Sequence, residues 1–374
     1  MKDIYLQGTH GVATAANPTA GAIPCDQSQL REHIRLNGRR LCEIRTIHSD
    51  HQNKKSLCGQ MTYLTPSGER VDFDSFLARG LSGIVLRYPD GNVLKIPKVA
   101  DTSTLPTKQR KDQDYVNDCN RQTLEFEKAI YRRLGPYDGI AKVINISMDG
   151  ILLEYYPDGD LEDYISTHTE PDTHRKASWI LSITRTICHI HKMKVLVDDI
   201  ALRNLLVAPD KSLKLVDFGE SALFPEATDM AMANSNGSTV SVDIFHLGSV
   251  IYSIAAWTKF EYTLFFDNFH WPAIEDLPVL DRMLFHHVIQ KCWAGQYCTS
   301  DELYADILEA TMHATAARSE ICQQRKGPSD CLITGFVGCP FELRGLCNVT
   351  VQQDSADSAQ RRYASYGCSM AMDL

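Results

Sequence analysis

The chain has 374 residues, 44% of them hydrophobic and 23% charged. That is ordinary globular composition, and the length suits one two-lobed domain of about 250 residues with extensions. The formal charge of −9 excludes nucleic-acid binding as the main role, because a phosphate-binding surface needs an excess of cations.

Taken in chain order, residues 1–66 show no clear period and are expected to form a weakly structured extension. From Val71 the pattern sharpens. Asp72–Leu77 leads into a strand, Ala78–Gly83 is a turn, and Ile84–Tyr88 is a second strand. Pro89-Asp90-Gly91-Asn92 has hairpin-turn chemistry and hands over to a third strand at Val93–Ile96. The polar stretch 99–120 reads as loop with some helix, and the basic cluster Lys108–Lys111 within it as a solvated run. Phe126, Ile130 and Leu134 recur every four residues and predict an amphipathic helix closed by Gly135-Pro136. Ile151–Tyr156 is a strand ending in the turn Pro157-Asp158-Gly159-Asp160. Two long helices follow, one carrying Ile180, Ile183, Ile187 and Ile190, the other Ile244, Leu247, Ile251 and Ile254. Both sets are spaced 3, 4 and 3, which places each set on one helical face. Further helices are expected at 281–293 and 300–316. Beyond that the periodicity dissolves, and 317–374 reads as a disordered tail. Strands first and helices after, joined by one short segment, imply an α+β fold. A small β-rich lobe (67–154) sits on a larger helical lobe (158–316) with a cleft between them.

The candidate chemistry lies where the helical lobe begins. Asp199 precedes Asn204 by five positions, and Asp217-Phe218-Gly219 follows a short apolar run. Hard oxygen donors at these spacings can hold Mg²⁺ and a nucleoside triphosphate and can orient a hydroxyl. Upstream, Ala78-Arg79-Gly80-Leu81-Ser82-Gly83 with Val85 is a turn that lets the backbone approach phosphates. Lys95 follows on the next strand and Glu127 on the next helix, with Glu125 as the rival carboxylate and Lys98 as a competing lysine expected to be solvated.

Together these segments resemble eukaryotic protein kinases, in particular the small divergent kinases common in filamentous fungi, over residues 70–315. The turn resembles G-x-G-x-x-G-x-V with Ala78 at the first glycine. The loop Val197-Asp198-Asp199-Ile200-Ala201-Leu202-Arg203-Asn204 resembles H-R-D-L-x-x-x-N, and Asp243-Ile244-Phe245-His246-Leu247-Gly248 resembles D-x-W-x-L-G. The resemblance implies a two-lobed kinase-like fold and ATP- and Mg²⁺-dependent transfer to a protein hydroxyl, Ser or Thr. By the same resemblance Lys95, fixed by Glu127, holds phosphates, and Asp199 orients the hydroxyl. Arg203 stands in for the lysine that Ala201 replaces. Asn204 and Asp217 bind metal. Leu77, Val85, Val93 and Leu206 line the adenine slot, Glu154 and Tyr156 offer main-chain groups, and Ala78, Gly80, Ser82 and Gly83 enclose the phosphates. Asp243 anchors the catalytic loop.

Departures keep two alternatives open: a pseudokinase that binds or docks without transfer, and a small-molecule kinase. Val197 and Asp198 replace the usual His and Arg, and no Ala-Pro-Glu closes the short segment 218–242. A phosphate on Thr228, Ser235, Ser238 or Thr239 would meet the carboxylate of Asp198, so activation by phosphorylation of this segment is not expected. His189 and His191 do not share a helix face and are not expected to hold metal. The twelve cysteines contain no C-x-x-C pair, and those of the tail, Cys322, Cys331, Cys339, Cys347 and Cys368, fit no zinc spacing. With no signal peptide or membrane span expected, free thiols in the cytoplasm or nucleus are the simplest reading.

Overall fold

The computed structural model describes residues 62–262, 271–280 and 283–325. The chain divides into two units, 1–315 and 316–374, and the fold described is that of the first. It opens with β1 (Tyr63–Leu64), β2 (Phe76–Arg79), β3 (Gly83–Tyr88), β4 (Asn92–Pro97) and β5 (Val99–Ala100). Helix α1 (Thr107–Leu134) separates these from β6 (Val143–Ile146) and β7 (Ile151–Glu154). Five strands form one antiparallel sheet in the order β2-β3-β4-β7-β6. Between β3 and β4, Asp90 and Gly91 both take positive φ (60° and 69°), the backbone that Asp and Gly reach at least cost.

Strand periodicity sorts β4 onto two faces. Ile96 joins Ile84, Leu86, Tyr63 and Ala100 in a small cluster above the sheet. Val93 joins the main core on the other side, and Lys95 shares that face. Register places Lys95 between Val85 on β3 and Ile151 on β7.

The helical lobe contains α2 (Leu161–Thr167), α3 (Thr173–Lys192), α4 (Val240–Ala256), α5 (His286–Trp293) and α6 (Ser300–Arg325), with four short strands: β8 (Val195–Leu196), β9 (Leu205–Val207), β10 (Leu213–Leu215) and β11 (Ala222–Leu223). Asp160, Asp172 and Thr239 accept backbone N–H groups at the starts of α2, α3 and α4, each satisfying a donor that the helix itself cannot. The isoleucines of α3 and the Ile244, Leu247, Ile251 and Ile254 set of α4 are all buried in one core, as their spacing predicts. The α+β class and the order of strands before helices agree with the sequence reading.

Four boundaries differ. β1 lies inside the segment assigned to the N-terminal extension, and it pairs with β5 (Tyr63 with Ala100, Leu64 with Val99). Two residues are too few to show a period. Helix α1 begins at Thr107, well inside the stretch read as loop. Its first half has little apolar periodicity because its buried positions include Asn117 and Asn120. The Asn117 side-chain amide exchanges two hydrogen bonds with the backbone of Ala100 (both 2.9 Å), and Asn120 donates to Lys98 O (2.7 Å). The helix is thus strapped to β5 and the residue before it by amides in place of a hydrophobic stripe. The helix expected from residue 281 starts at His286, and α6 runs past 316 to Arg325. Residues 1–61 and the tail beyond 325 lie outside the described residues.

Candidate active site

The turn expected to enclose phosphates is shorter than the sequence suggests. Ala78 and Arg79 belong to β2, where Ala78 pairs with Val85, and the turn closes through Gly80 N donating to Gly83 O (2.9 Å). Gly83 leaves room for the lysine that follows: a Cβ there would lie 3.0 Å from Cε of Lys95, whose stem runs beneath it, and would press on it. Lys98 is not the solvated strand lysine expected. It follows β4, its N–H donates to Ser82 O (2.7 Å), and its Nζ donates to Gly80 O (3.1 Å), bracing the same turn. Burial and the neighbouring Arg79 push its amine down to about 8.

Lys95 is the centre of the site. Its Nζ donates to Glu127 Oε1 (2.7 Å) and to Asp217 Oδ1 (2.8 Å), with Lys95 7% and Glu127 1% exposed. Glu125 instead pairs with Lys128 (2.7 Å), which decides between the two rival carboxylates. Burial alone would depress the Lys95 amine, but Asp217 and Glu127 outweigh it and raise it. Burial raises the Glu127 carboxyl, against the pull of Lys95. Asp217 stands at the cleft surface, half exposed. Burial pushes its carboxyl up, but Lys95 prevails and holds it low, so it stays an anionic oxygen donor.

Asp217 takes φ 65°. Its carboxylate accepts Gly219 N–H (3.2 Å), while Phe218 turns the other way, fully buried and edge-on to Tyr131 with centroids 5.0 Å apart. Phe218 N also donates to Glu127 Oε1 (3.2 Å). The position of α1, the lysine and the Asp-Phe-Gly segment are therefore one coupled unit.

Asp199 and its neighbours form the second half. Asn204 Nδ2 donates to Asp199 Oδ2 (2.8 Å) and to Asp199 O (2.9 Å), and Arg203 donates to Asp199 Oδ1. Arg203 also reaches Glu261 Oε1 (2.5 Å). Val216 N donates to Asn204 O (2.9 Å), joining the Asp199–Asn204 loop to the strand that delivers Asp217. From α4, the fully buried Asp243 accepts Val197 N (2.8 Å), Asp198 N (2.8 Å) and His191 Nε2 (2.9 Å). His191 is thereby a packing and hydrogen-bonding residue, and His189 bonds Leu134 O (3.1 Å).

Leu77, Val85 and Leu206, expected to line the adenine slot, pack partly buried on the core that contains Val93. Glu154 uses its N–H on Lys142 O (3.0 Å), so its carbonyl is what it can offer. Tyr156 buries its ring, and its hydroxyl meets Lys142 N (3.1 Å) and Glu154 Oε2 (3.3 Å). Asn204 and Asp217 could hold a divalent cation. Among the described residues no three His, Cys, Asp or Glu side chains converge on a metal position, and an amide plus a carboxylate suit Mg²⁺ that completes its shell with phosphate and water.

Sequence reasoning set Ser238 against Asp198 only as a site of phosphate repulsion and missed the bond made by its unmodified hydroxyl; it missed the contact of Arg203 with Glu261 as well. It also missed Arg133, which donates from α1 to Phe224 O (3.2 Å) and Met193 O (3.3 Å). Only the first had a local signal, the hairpin dipeptide Asn236-Gly237.

Comparison with known proteins agrees with this geometry. The family model for the protein kinase domain matches residues 90–263. Similar proteins include the mitosis inducer protein kinase cdr1 of Schizosaccharomyces pombe, 26% identical over 120 residues (28% of this chain, 20% of the relative). The serine/threonine-protein kinase ppk25 of the same yeast is 25% identical over 183 residues (43% of each chain). A putative ribosomal protein S6 kinase alpha-2 of Caenorhabditis elegans is 26% identical over 194 residues (47% of this chain, 23% of the relative). The chain thus spans less than half the length of each of these relatives. A two-lobed fold, the lysine–glutamate–aspartate unit and the matched domain lead to one assignment: residues 90–263 belong to a divergent protein kinase-like domain.

Proposed function

We propose that the chain transfers the γ-phosphoryl group of ATP, with Mg²⁺, to hydroxyls of proteins, Ser or Thr. The observation that carries this reading is Lys95 held between Glu127 and Asp217 at 2.7 and 2.8 Å. Such a preformed ammonium would meet the α and β phosphates without reorganisation. Asp217 and Asn204 would hold the metal, which when bound neutralises phosphate charge. Asp199 would orient the substrate hydroxyl and accept its proton, and Arg203 would sit beside the γ-phosphate where many kinases place a lysine. That the yeast relative ppk25 is a serine/threonine-protein kinase supports Ser/Thr over Tyr. Among the described residues no helix is long and apolar enough to cross a membrane. Cys188, Cys292 and Cys298 stand outside any disulfide, which supports the cytoplasm or nucleus as the setting.

The test is ATP and Mg²⁺ binding measured beside autophosphorylation, transfer to a generic protein and transfer to a panel of small alcohols, with Asp217→Asn as control. Transfer to protein that vanishes in the control supports the proposal. Tight binding without transfer would make the chain a pseudokinase, and transfer only to alcohols a small-molecule kinase.

A further inference from the structure

The residue before Asp199 is out of the ordinary in three ways. Asp198 takes φ 66°, a left-handed conformation that costs a non-glycine residue free energy unless its surroundings enforce it. Its N–H donates to the buried Asp243 (2.8 Å). Its carboxylate accepts the hydroxyl of Ser238, a residue with no exposed surface at all.

Ser238 is delivered by a tight hairpin. Ser235 N donates to Ser238 O (3.0 Å) and Ser238 N to Ser235 O (3.1 Å). Asn236 and Gly237 turn the chain with φ 55° and 92°, and the Asn234 side chain accepts Gly237 N–H (3.0 Å). With both its backbone groups fixed, Ser238 has little freedom beyond aiming its hydroxyl. Thr239 then caps α4, which carries Asp243 one turn later. Hairpin, cap and helix are therefore one continuous piece that grips the catalytic loop twice at Asp198, by its N–H and by its carboxylate. The other end of the segment is also held by neutral bonds. Ser221 Oγ donates to Val197 O (2.9 Å), and β11 pairs with β8.

Accepting the phosphoryl-transfer reading on which this rests, we propose that Ser238 is a positioning residue whose hydroxyl, bonded to Asp198, holds the catalytic loop in working geometry. No phosphate is needed for this, and a phosphate on Ser238 would oppose it. The added charge would face the carboxylate of Asp198 in a buried space.

The experiment uses the full-length chain. Ser238→Ala should lower kcat about 10-fold with the KM for ATP changed by less than about 2-fold, because loop geometry and not nucleotide contact is altered. Asp198→Ala should do the same, the double variant should lose no more than either single one, and Asp198→Asn, which keeps an acceptor oxygen, should recover most of the loss. Phosphatase treatment should leave wild-type kcat unchanged. Hydrogen exchange on nucleotide-free protein supplies a readout independent of transfer: Ser238→Ala should speed exchange of the Asp198 and Ser238 amides at unchanged protection of α3. Additive losses in the double variant, loss of transfer on dephosphorylation, or unchanged exchange at Asp198 would each overturn the proposal. Should the wild type transfer nothing, the exchange arm alone decides it, so failure of the activity and failure of the latch are told apart.

Discussion

Lys95 and Glu127 are the pair whose removal separates charge burial from catalysis. Lys95→Met strands Glu127, 1% exposed, next to a second carboxylate at Asp217. Breaking a buried pair from one side costs about 3–5 kcal/mol. At about 2–4 °C per kcal/mol for a domain of this size, Tm should fall by roughly 10 °C. Adding Glu127→Gln removes the stranded charge yet keeps an oxygen for Phe218 N–H (3.2 Å in the parent), and should restore most of that loss. The pH dependence has a fixed sign. Burial already raises the Glu127 carboxyl, and losing the ammonium raises it further. The folded Lys95→Met variant then keeps a proton that the unfolded chain releases, so it gains stability as pH falls from about 7 toward 5. The double variant has no such gain. Urea denaturation across that range, with ATP turnover in parallel, reads all three proteins. Turnover should fall far more for Lys95→Met than for Lys98→Met, whose amine braces the turn from Gly80 O. Equal turnover in those two variants, or strictly additive stabilities in the Lys95–Glu127 cycle, would refute the coupled unit.

Three further expectations concern the frame around that pair. Gly150→Ala places a Cβ 2.2 Å from Lys95 O and should cost at least about 2 kcal/mol in urea, whereas Gly80→Ala, whose Cβ meets nothing nearer than 3.7 Å, should stay within about 1 kcal/mol of the parent. Asn117→Ala deprives both backbone groups of Ala100 of their partners and should cost about 2–3 kcal/mol; a loss below about 0.5 kcal/mol would mean that water replaces the strap. The Lys98 amine, pushed down to about 8 from 10.5, loses its proton in the folded chain first, so wild-type stability should rise with pH between those values relative to Lys98→Met. Denaturation midpoints of both proteins at several pH values in that window test the sign, and parallel curves would remove Lys98 from its semi-buried position.

Local pattern carried a good part of this protein. The isoleucines of α3 and the apolar set of α4 announce helices buried along one face, and period-two alternation puts Lys95 with Val93 on the side of the main core, apart from Ile96. The spacing from Asp199 to Asn204 and on to Asp217 marked the cleft before any coordinates. Tertiary structure decided what such patterns cannot express. Glu125 and Glu127 lie on the same helix; periodicity alone does not separate them, and the rotation of α1 against the sheet gives Lys95 the Glu127 that the resemblance named. Asn117 and Asn120 look like surface residues until the backbone of Ala100 and Lys98 supplies their partners. Ser238 meets Asp198 across 40 residues and Glu261 meets Arg203 across 58. Hydrophobic periodicity records which face of an element leaves water, because burial scales with area and is blind to partner identity. A hydrogen bond between distant side chains depends on two atoms meeting at the right distance and angle, and that meeting exists only once the elements of a lobe have packed.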